Sequence, residues 1–264
     1  MSCYIIAEAG AENTRSPKVW NHVFQRLNWE KRMIPLNIKR EFFLNDLEKM
    51  FRNPDFECTL ITNPHKEQIF SANFSIDIDE ISRSIGAINL IYKRGSKFCG
   101  INTDRIGAIE SIKENFLDYK NKKIIILGFG GAAKAVYYGL INEGCDVVVA
   151  TREPKFLKVE KYENIKNLMF NDDGCLLINA TGVSFLELST SYENLKAFVS
   201  NRTQVFDLRY KDNTVDYDLF LRNHIKYIDG LRMNIVQAAV AFSKVFEGKI
   251  KLTENQIHEL MSEY

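Results

Sequence analysis

The sequence predicts an α/β protein of two domains, the second built on a doubly wound parallel sheet, and three observations carry that prediction. The stretch from Lys122 to Arg152 reads as strand, glycine-rich turn, helix and second strand. The apolar runs Leu176-Leu177-Ile178 and Val205-Phe206-Asp207-Leu208 continue the alternation of strand and helix beyond it. Ahead of it, residues 1–106 carry a strand and helix series of their own. A chain of 264 residues with 45% hydrophobic content has the length and apolar fraction for two such domains.

Taken in order, Tyr4-Ile5-Ile6-Ala7 is the first strand, and Gly10, Asn13 and Thr14 mark a loop behind it. Ser16-Pro17 reads as the N-cap and first position of a helix whose apolar face is Val19, Trp20, Val23, Phe24 and Leu27. Met33-Ile34-Pro35-Leu36 is a second strand, Phe42 to Phe51 a second helix, and Cys58-Thr59-Leu60-Ile61-Thr62 a third strand. Pro64 forbids that strand from continuing in a central ladder and delivers Lys66 just past its carboxyl end. Ser84 to Tyr92, a turn at Arg94-Gly95 and a return over Phe98 to Ile101 read as a hairpin. Asn102-Thr103-Asp104 then leads into a helix along Ile106, Ile109 and Ile112. A final helix is expected from Asn234 to Phe246, with a polar helix after Gly248.

The central stretch carries the chemistry. Ile124-Ile125-Ile126-Leu127 is apolar at every position, as a strand covered on both faces requires. It stops at Gly128-Phe129-Gly130-Gly131-Ala132-Ala133, a GxGxxA turn. Gly128 supplies the tight bend, Gly130 lets the backbone approach a pyrophosphate, and Ala133 lets the helix pack on its strand. The N–H groups that open the helix, at Gly131 and Ala132, then face the phosphates of a dinucleotide. The second strand, Val147 to Ala150, ends in Thr151-Arg152, where an acid would select a free ribose 2′-hydroxyl. Arg152 offers a planar fork of donors to a 2′-phosphate, Lys155 and Lys158 add positive charge, and Glu153 opposes it; NADP(H) is favoured over NAD(H).

With 35 basic and 34 acidic side chains the net charge of +1 gives no nucleic-acid track and no membrane-attracted face, so a small-molecule partner is expected. No apolar stretch approaches the ~20 residues of a membrane span. The chain opens directly into a strand instead of a signal peptide, so a cytoplasmic protein is expected. Five cysteines without CxxC spacing argue against a disulfide framework and against a metal site, and read as buried small hydrophobes.

Four polar clusters stand at the ends of the first domain's strands: Thr14-Arg15-Ser16, Thr62 with Lys66, Asn89, and Asn102-Thr103-Asp104. Each alone is ordinary turn or surface chemistry. Ligands of open α/β sheets lie beyond the carboxyl ends of the strands, so the clusters are expected to converge on one crevice. Together they supply hydroxyl donors, an amide, and a lysine and aspartate able to move an alcohol proton during hydride transfer.

These residues resemble the shikimate dehydrogenases, including their quinate/shikimate relatives. The family's Ser-x-Ser-Pro is similar to Thr14-Arg15-Ser16-Pro17, and its Asn-Val-Thr-x-Pro-x-Lys to Leu60-Ile61-Thr62-Asn63-Pro64-His65-Lys66. Its Gly-Ala-x-Asn-Thr is similar to Gly86-Ala87-Ile88-Asn89-Leu90, and its Gly-x-Asn-Thr-Asp is intact at Gly100 to Asp104. Further matches are Thr151-Arg152-Glu153, Asn179-Ala180-Thr181, Asp207 with Tyr210, Gly230-Leu231-Arg232-Met233, and Gln237-Ala238-Ala239. The resemblance implies an N-terminal substrate-binding and catalytic α/β domain over 1–106. It implies a Rossmann-type NADP-binding domain over 107–234, and C-terminal helices over 235–264 that pack back on the first domain. It implies reduction of 3-dehydroshikimate to shikimate, in aromatic amino-acid biosynthesis, by a monomer or homodimer. Lys66 and Asp104 would be the catalytic pair, and Thr14, Ser16 and Tyr210 would hold the ring carboxylate. Thr62, Asn89, Asp104 and Gln237 would hold the ring hydroxyls, while Asn179, Thr181, Gly230 and Met233 would line the nicotinamide side.

The sequence departs from the family pattern at Leu60 for Asn, Leu90 for Thr and Thr14 for Ser, and it lacks the usual lead before Thr14. One added methyl beside a carboxylate shifts discrimination by ~1–3 kcal/mol, which tunes a substrate without changing the reaction. Quinate, aminoshikimate or another ring polyol acid is therefore a second reading. A non-catalytic NADP(H)- or metabolite-binding protein is a third, against which the Lys66 and Asp104 pair speaks.

Overall fold

Strand β1 (Ser2–Ala7) turns Ile5 to one face of its sheet and Ile6 to the other, as the twofold period of a strand demands, and both faces are buried. The chain is described here by a computed structural model over residues 2–153, 159–169, 174–199, 202–210, 214–249 and 253–263. After β1 come helix α1 (Arg15–Arg26), β2 (Arg32–Asn37), α2 (Phe43–Phe51) and β3 (Phe56–Ile61). Then follow β4 (Asp77–Ile78), α3 (Glu80–Ile85) and the hairpin of β5 (Leu90–Arg94) and β6 (Lys97–Ile101). The six strands form one sheet ordered β2-β1-β3-β5-β6-β4, in which β2, β1 and β3 are parallel and β5 is antiparallel to both its neighbours.

Next are α4 (Asp104–Asn115), β7 (Lys123–Leu127), α5 (Gly131–Asn142), β8 (Val147–Thr151) and β9 (Tyr162–Asn164). After these come β10 (Cys175–Asn179), α6 (Phe185–Ser191), β11 (Gln204–Asp207), α7 (Thr214–Arg222) and β12 (Lys226–Ile228). The second sheet is wholly parallel and ordered β12-β11-β10-β7-β8-β9, so its order reverses between β7 and β10. Ile124 and Ile126 pack with Ala108, Ile112, Val136 and Leu140 on one face. Ile125 and Leu127 pack with Phe185, Leu188 and Phe220 on the other. Helices on both faces are the reason every position of that strand is apolar. The chain ends in α8 (Leu231–Val245) and α9 (Glu254–Ser262). Two compact units result: the residues up to Asp104 together with those from Ile235 form one, and Arg105–Asn234 form the other.

Three local expectations are corrected. Thr14, not Ser16, is the N-cap residue of α1; its hydroxyl donates to Ala11 O at 2.6 Å, and Ser16 and Pro17 lie in the first turn. A proline is tolerated there because the first N–H groups of a helix have no intrahelical acceptor. Ser84 and Ile85 belong to α3, not to the hairpin, because Asp79 caps Ser82 N at 2.6 Å and Gly86 closes the helix at a φ of 70°. The last long helix begins at Leu231, ahead of Asn234. All five cysteines are free, and Cys3, Cys58, Cys145 and Cys175 are buried, whereas Cys99 is only half-buried on β6. Among the described residues no helix is long and apolar enough to cross a membrane.

Candidate active site

In the first unit the side chains after β3, before β5 and after β6 meet in one hydrogen-bonded cluster. Lys66 Nζ donates to Asp104 Oδ2 at 2.6 Å, with side chains 16% and 7% exposed. The other carboxylate oxygen, Oδ1, accepts from Asn89 Nδ2 at 2.8 Å. Asn89 also donates toward Thr103 Oγ1 at 2.9 Å and Gln237 Oε1 at 3.3 Å, and its own Oδ1 accepts from Thr103 N at 2.8 Å. Thr103 Oγ1 lies 3.2 Å from Gln237 Oε1, so α8 closes the cluster from the far end of the chain. Both oxygens of this buried carboxyl group are therefore paired, as the cost of burying it demands. Ile88 N donates to Lys66 O at 2.9 Å, which holds the lysine's backbone against the approach to β5. One Lys66 ammonium donor therefore engages Asp104 and leaves others for a ligand.

Thr62 follows β3 and donates its N–H to Ile6 O of the neighbouring β1 at 3.0 Å. Thr14 and Ser16 open α1 after β1, Thr14 half-buried and Ser16 8% exposed. Between them, Arg15 is buried and its Nη2 donates to Met261 O in the last turn of α9. Tyr210 belongs to the second unit and is half-buried. The departures Leu60 and Leu90 are cross-strand partners of β3 and β5 and lie in the apolar core with Ile5, Trp20 and Phe242, not in the polar cluster.

The second unit carries the glycine-rich turn at the point where its strand order reverses. Gly128 sits at a φ of 88°, and a Cβ there would lie 3.2 Å from Ala180 O and Thr181 Cγ2. A Cβ on Gly130 would meet nothing within 4 Å. Gly130 caps α5 without a side-chain bond, and Lys134 N to Gly130 O, 2.9 Å, is an opening hydrogen bond of the helix. The N–H groups of Gly131 and Ala132 at this first turn have no acceptor within the helix, and Ala133 is buried against the sheet. At the end of β8, Thr151 Oγ1 is buried without a hydrogen-bond partner, and Arg152 beside it is exposed. An uncapped helix N-terminus, a bare glycine over it, an orphaned hydroxyl and an exposed guanidinium suit a phosphorylated dinucleotide. Lys155 and Lys158 lie outside the described residues.

Asn179 is fully buried and its side chain braces its own loop: Nδ2 donates to Val183 O at 2.9 Å, and Oδ1 accepts from Thr181 Oγ1 at 2.7 Å. Thr181 is the half-exposed member of that pair. At Gly230 a Cβ would lie 2.1 Å from Leu208 O, so no side chain fits. Met233 is 6% exposed and packs in the core of this unit with Phe206 and Ile178. Thr103, expected only as part of the Asn102-Thr103-Asp104 cluster and assigned no role of its own, bonds both Asn89 and Gln237, whereas Arg209 and Asp216 are absent from the sequence-based candidates because their spacing carries no local signal.

A family model described as the shikimate dehydrogenase substrate binding domain matches residues 6–91. The chain is 30% identical over 260 residues to a shikimate dehydrogenase (NADP(+)) of Dictyoglomus thermophilum, covering 92% of each protein. It is 30% identical over 266 residues to one of Caldicellulosiruptor bescii, covering 94% of this chain and 90% of that protein. In structure it resembles shikimate 5-dehydrogenase of Thermus thermophilus in complex with NADP(H) and shikimate, with a TM-score of 0.80 at 22% identity over 100% of this chain and 99% of that one.

Proposed function

The chain belongs to the shikimate dehydrogenase family, and we infer that it catalyses the reversible NADP-dependent reduction of 3-dehydroshikimate to shikimate, a step of aromatic amino-acid biosynthesis. The observation that carries the chemistry is the 2.6 Å contact of Lys66 Nζ with Asp104 Oδ2, itself held on its second oxygen by Asn89. When bound, the reduced nicotinamide supplies the hydride. Lys66, as an ammonium, donates a hydrogen bond to the ring carbonyl and passes its proton to that oxygen as negative charge develops there. The neutral amine left behind recovers a proton from water. Asp104 keeps the amine aimed, and Asn89 keeps Asp104 in one rotamer. Thr62, Asn89 and Gln237 would position the ring hydroxyls, and the hydroxyl of Ser16 would donate to its carboxylate, joined by that of Thr14 once it exchanges its bond to Ala11 O for the ligand. On the cofactor, Gly131 and Ala132 N–H groups would take the pyrophosphate, and Thr151 and Arg152 the 2′-phosphate.

In the same reading the partner is a small molecule, neither nucleic acid nor membrane, and the protein acts in the cytoplasm as a monomer or homodimer. The test follows nicotinamide absorbance with purified protein, NADP⁺ or NAD⁺, and shikimate, quinate and aminoshikimate. Shikimate with NADP⁺ is expected to have the highest kcat/KM. A higher value for another ring acid would move the substrate to it, and cofactor binding without turnover of any acid would reduce the chain to a binder. Replacing Arg152 removes a charge-assisted phosphate contact of ~1.5–3 kcal/mol. Arg152→Ala is accordingly expected to weaken NADP⁺ binding by about ten- to a hundredfold and to leave NAD⁺ nearly unchanged. Equal losses for both cofactors would remove the 2′-phosphate from this residue.

A further inference from the structure

Both ends of the loop that abuts the glycine-rich turn are held by a buried ion network in the second unit. Asp207, at the end of β11, is 0% exposed, and Asp216, in the first turn of α7, is 1% exposed. One guanidinium joins them. Arg209 Nη2 donates to Asp207 Oδ2 at 2.6 Å and to Asp216 Oδ2, while its Nε and backbone N reach Asp207 Oδ1 at 3.2 and 3.0 Å. Burial opposes the guanidinium's charge, but Asp207 and Asp216 outweigh it and hold its pKa above the ordinary value.

Each carboxylate also grips the loop. Asp207 Oδ2 accepts from Asn179 Nδ2 at 3.3 Å, at the loop's start, and also from Tyr227 OH of β12 at 3.2 Å. Asp216 accepts Phe185 N at 2.8 Å and Leu186 N at 3.0 Å, at the loop's end, where α6 begins. Between these two anchors lie Ala180 and Thr181, whose atoms sit 3.2 Å from where a Cβ on Gly128 would be. A shift of this loop of even a few tenths of an ångström would therefore change the floor of the dinucleotide crevice at its topological switch point.

We propose that Arg209 and Asp216 are positioning residues for the cofactor: by bridging Asp207 and Asp216, the guanidinium fixes both ends of the 179–186 loop against the glycine-rich turn. This rests on the NADP(H) reading of the second unit. Neither residue is among those read as touching the cofactor. Their effect passes through Asn179 and Thr181 to the nicotinamide half of the dinucleotide and leaves the adenosine half alone, because that half is served by Thr151 and Arg152 on the other side of the switch point, after β8.

Two variants test this. Arg209→Lys keeps the charge but replaces the planar fork with a shorter-reaching ammonium and loses the separate Nε bond to Asp207 Oδ1, so the bridge is no longer held in one geometry. Asp216→Asn keeps the shape but loses one acceptor from the end of the loop. Binding of NADP⁺ and of adenosine 2′,5′-bisphosphate, which lacks the nicotinamide half, is measured by titration calorimetry, alongside KM and kcat for shikimate oxidation. For each variant, affinity for NADP⁺ is expected to fall about tenfold, the loss typical of one charge-assisted hydrogen bond, and affinity for the bisphosphate to stay within about twofold. The KM for NADP⁺ should rise, and the KM for shikimate should not. Equal losses for the two ligands would mean that the unit as a whole has loosened, and would overturn the proposal, as would parental affinity for NADP⁺ in both variants. A parent chain that bound neither ligand would overturn the NADP(H) reading and the proposal together, which separates that failure from the others.

Discussion

Lys66→Ala is expected to lower kcat by about 10²–10⁴-fold, the range for a positioned acid or base, with a much smaller change in KM. The asymmetry follows from where the interaction grows. A carbonyl oxygen is a modest acceptor, but an oxygen taking on negative charge as hydride arrives is a strong one, so the Lys66 ammonium is worth more in the transition state than in the ground state. Loss mainly in KM would mean that Lys66 only holds the ring. Asp104→Asn should fall in the same direction, because Asp104 is the anion that aims Lys66 at 2.6 Å. The double variant should be no slower than the poorer single one, since paired groups act as a unit. A thermal melt of each variant separates lost chemistry from lost fold, because removing Lys66 also strands a carboxylate whose side chain is 7% exposed. Parental turnover by Lys66→Ala on every active ring acid would reduce Lys66 to a surface charge behind Pro64.

Phe242→Ala is expected to destabilise the first unit by ~3–5 kcal/mol, the usual cost of deleting a fully buried phenyl ring. Phe242 is 0% exposed on α8, and its ring lies 5.0 Å from Trp20, 5.6 Å from Phe24 and 4.8 Å from Phe246, centroid to centroid. Deleting it opens a cavity among rigid rings that fill space poorly when one leaves. The same helix carries Gln237 to the Asn89 cluster, so activity should fall with the stability of α8. Both tryptophans of the chain, Trp20 and Trp29, lie in or against this core, so denaturation followed by tryptophan fluorescence, excited selectively over tyrosine, reports this unit. A loss below about 1 kcal/mol would show that the neighbours close the hole and that α8 is not what holds this core together.

Much of this architecture was legible from local pattern. The apolar run at Ile124 to Leu127, the glycines after it and the second apolar run at Val147 specify strand, turn, helix and strand, because side-chain period and glycine's backbone freedom act over a few residues. The same reasoning located the strands that end at Ala7 and Ile61, and with them the polar clusters at their carboxyl ends. It failed where the chain's hydrogen-bond donors were claimed by a neighbour it could not foresee. The Thr14 hydroxyl turned back to Ala11 and left Ser16 inside the helix, and Asp79 drew Ser84 and Ile85 into α3.

The sequence by itself determined the fold class, the nucleotide turn and the residue types a ketone reduction needs, since each depends on short-range spacing or on composition. Only the tertiary structure decided which polar residues meet. Asn89, Thr103, Asp104 and Gln237 form one cluster although Gln237 is 148 residues from Asn89. Leu60 and Leu90, read as departures from the family pattern, proved to be partners in a core. Arg209 and Asp216, unremarked in the sequence, proved to be the two ends of a buried bridge. The reason is physical: a strand's period tells which side chains share its face, but the identity of the residue opposite is set by sheet order and register, and these depend on contacts far apart in the chain.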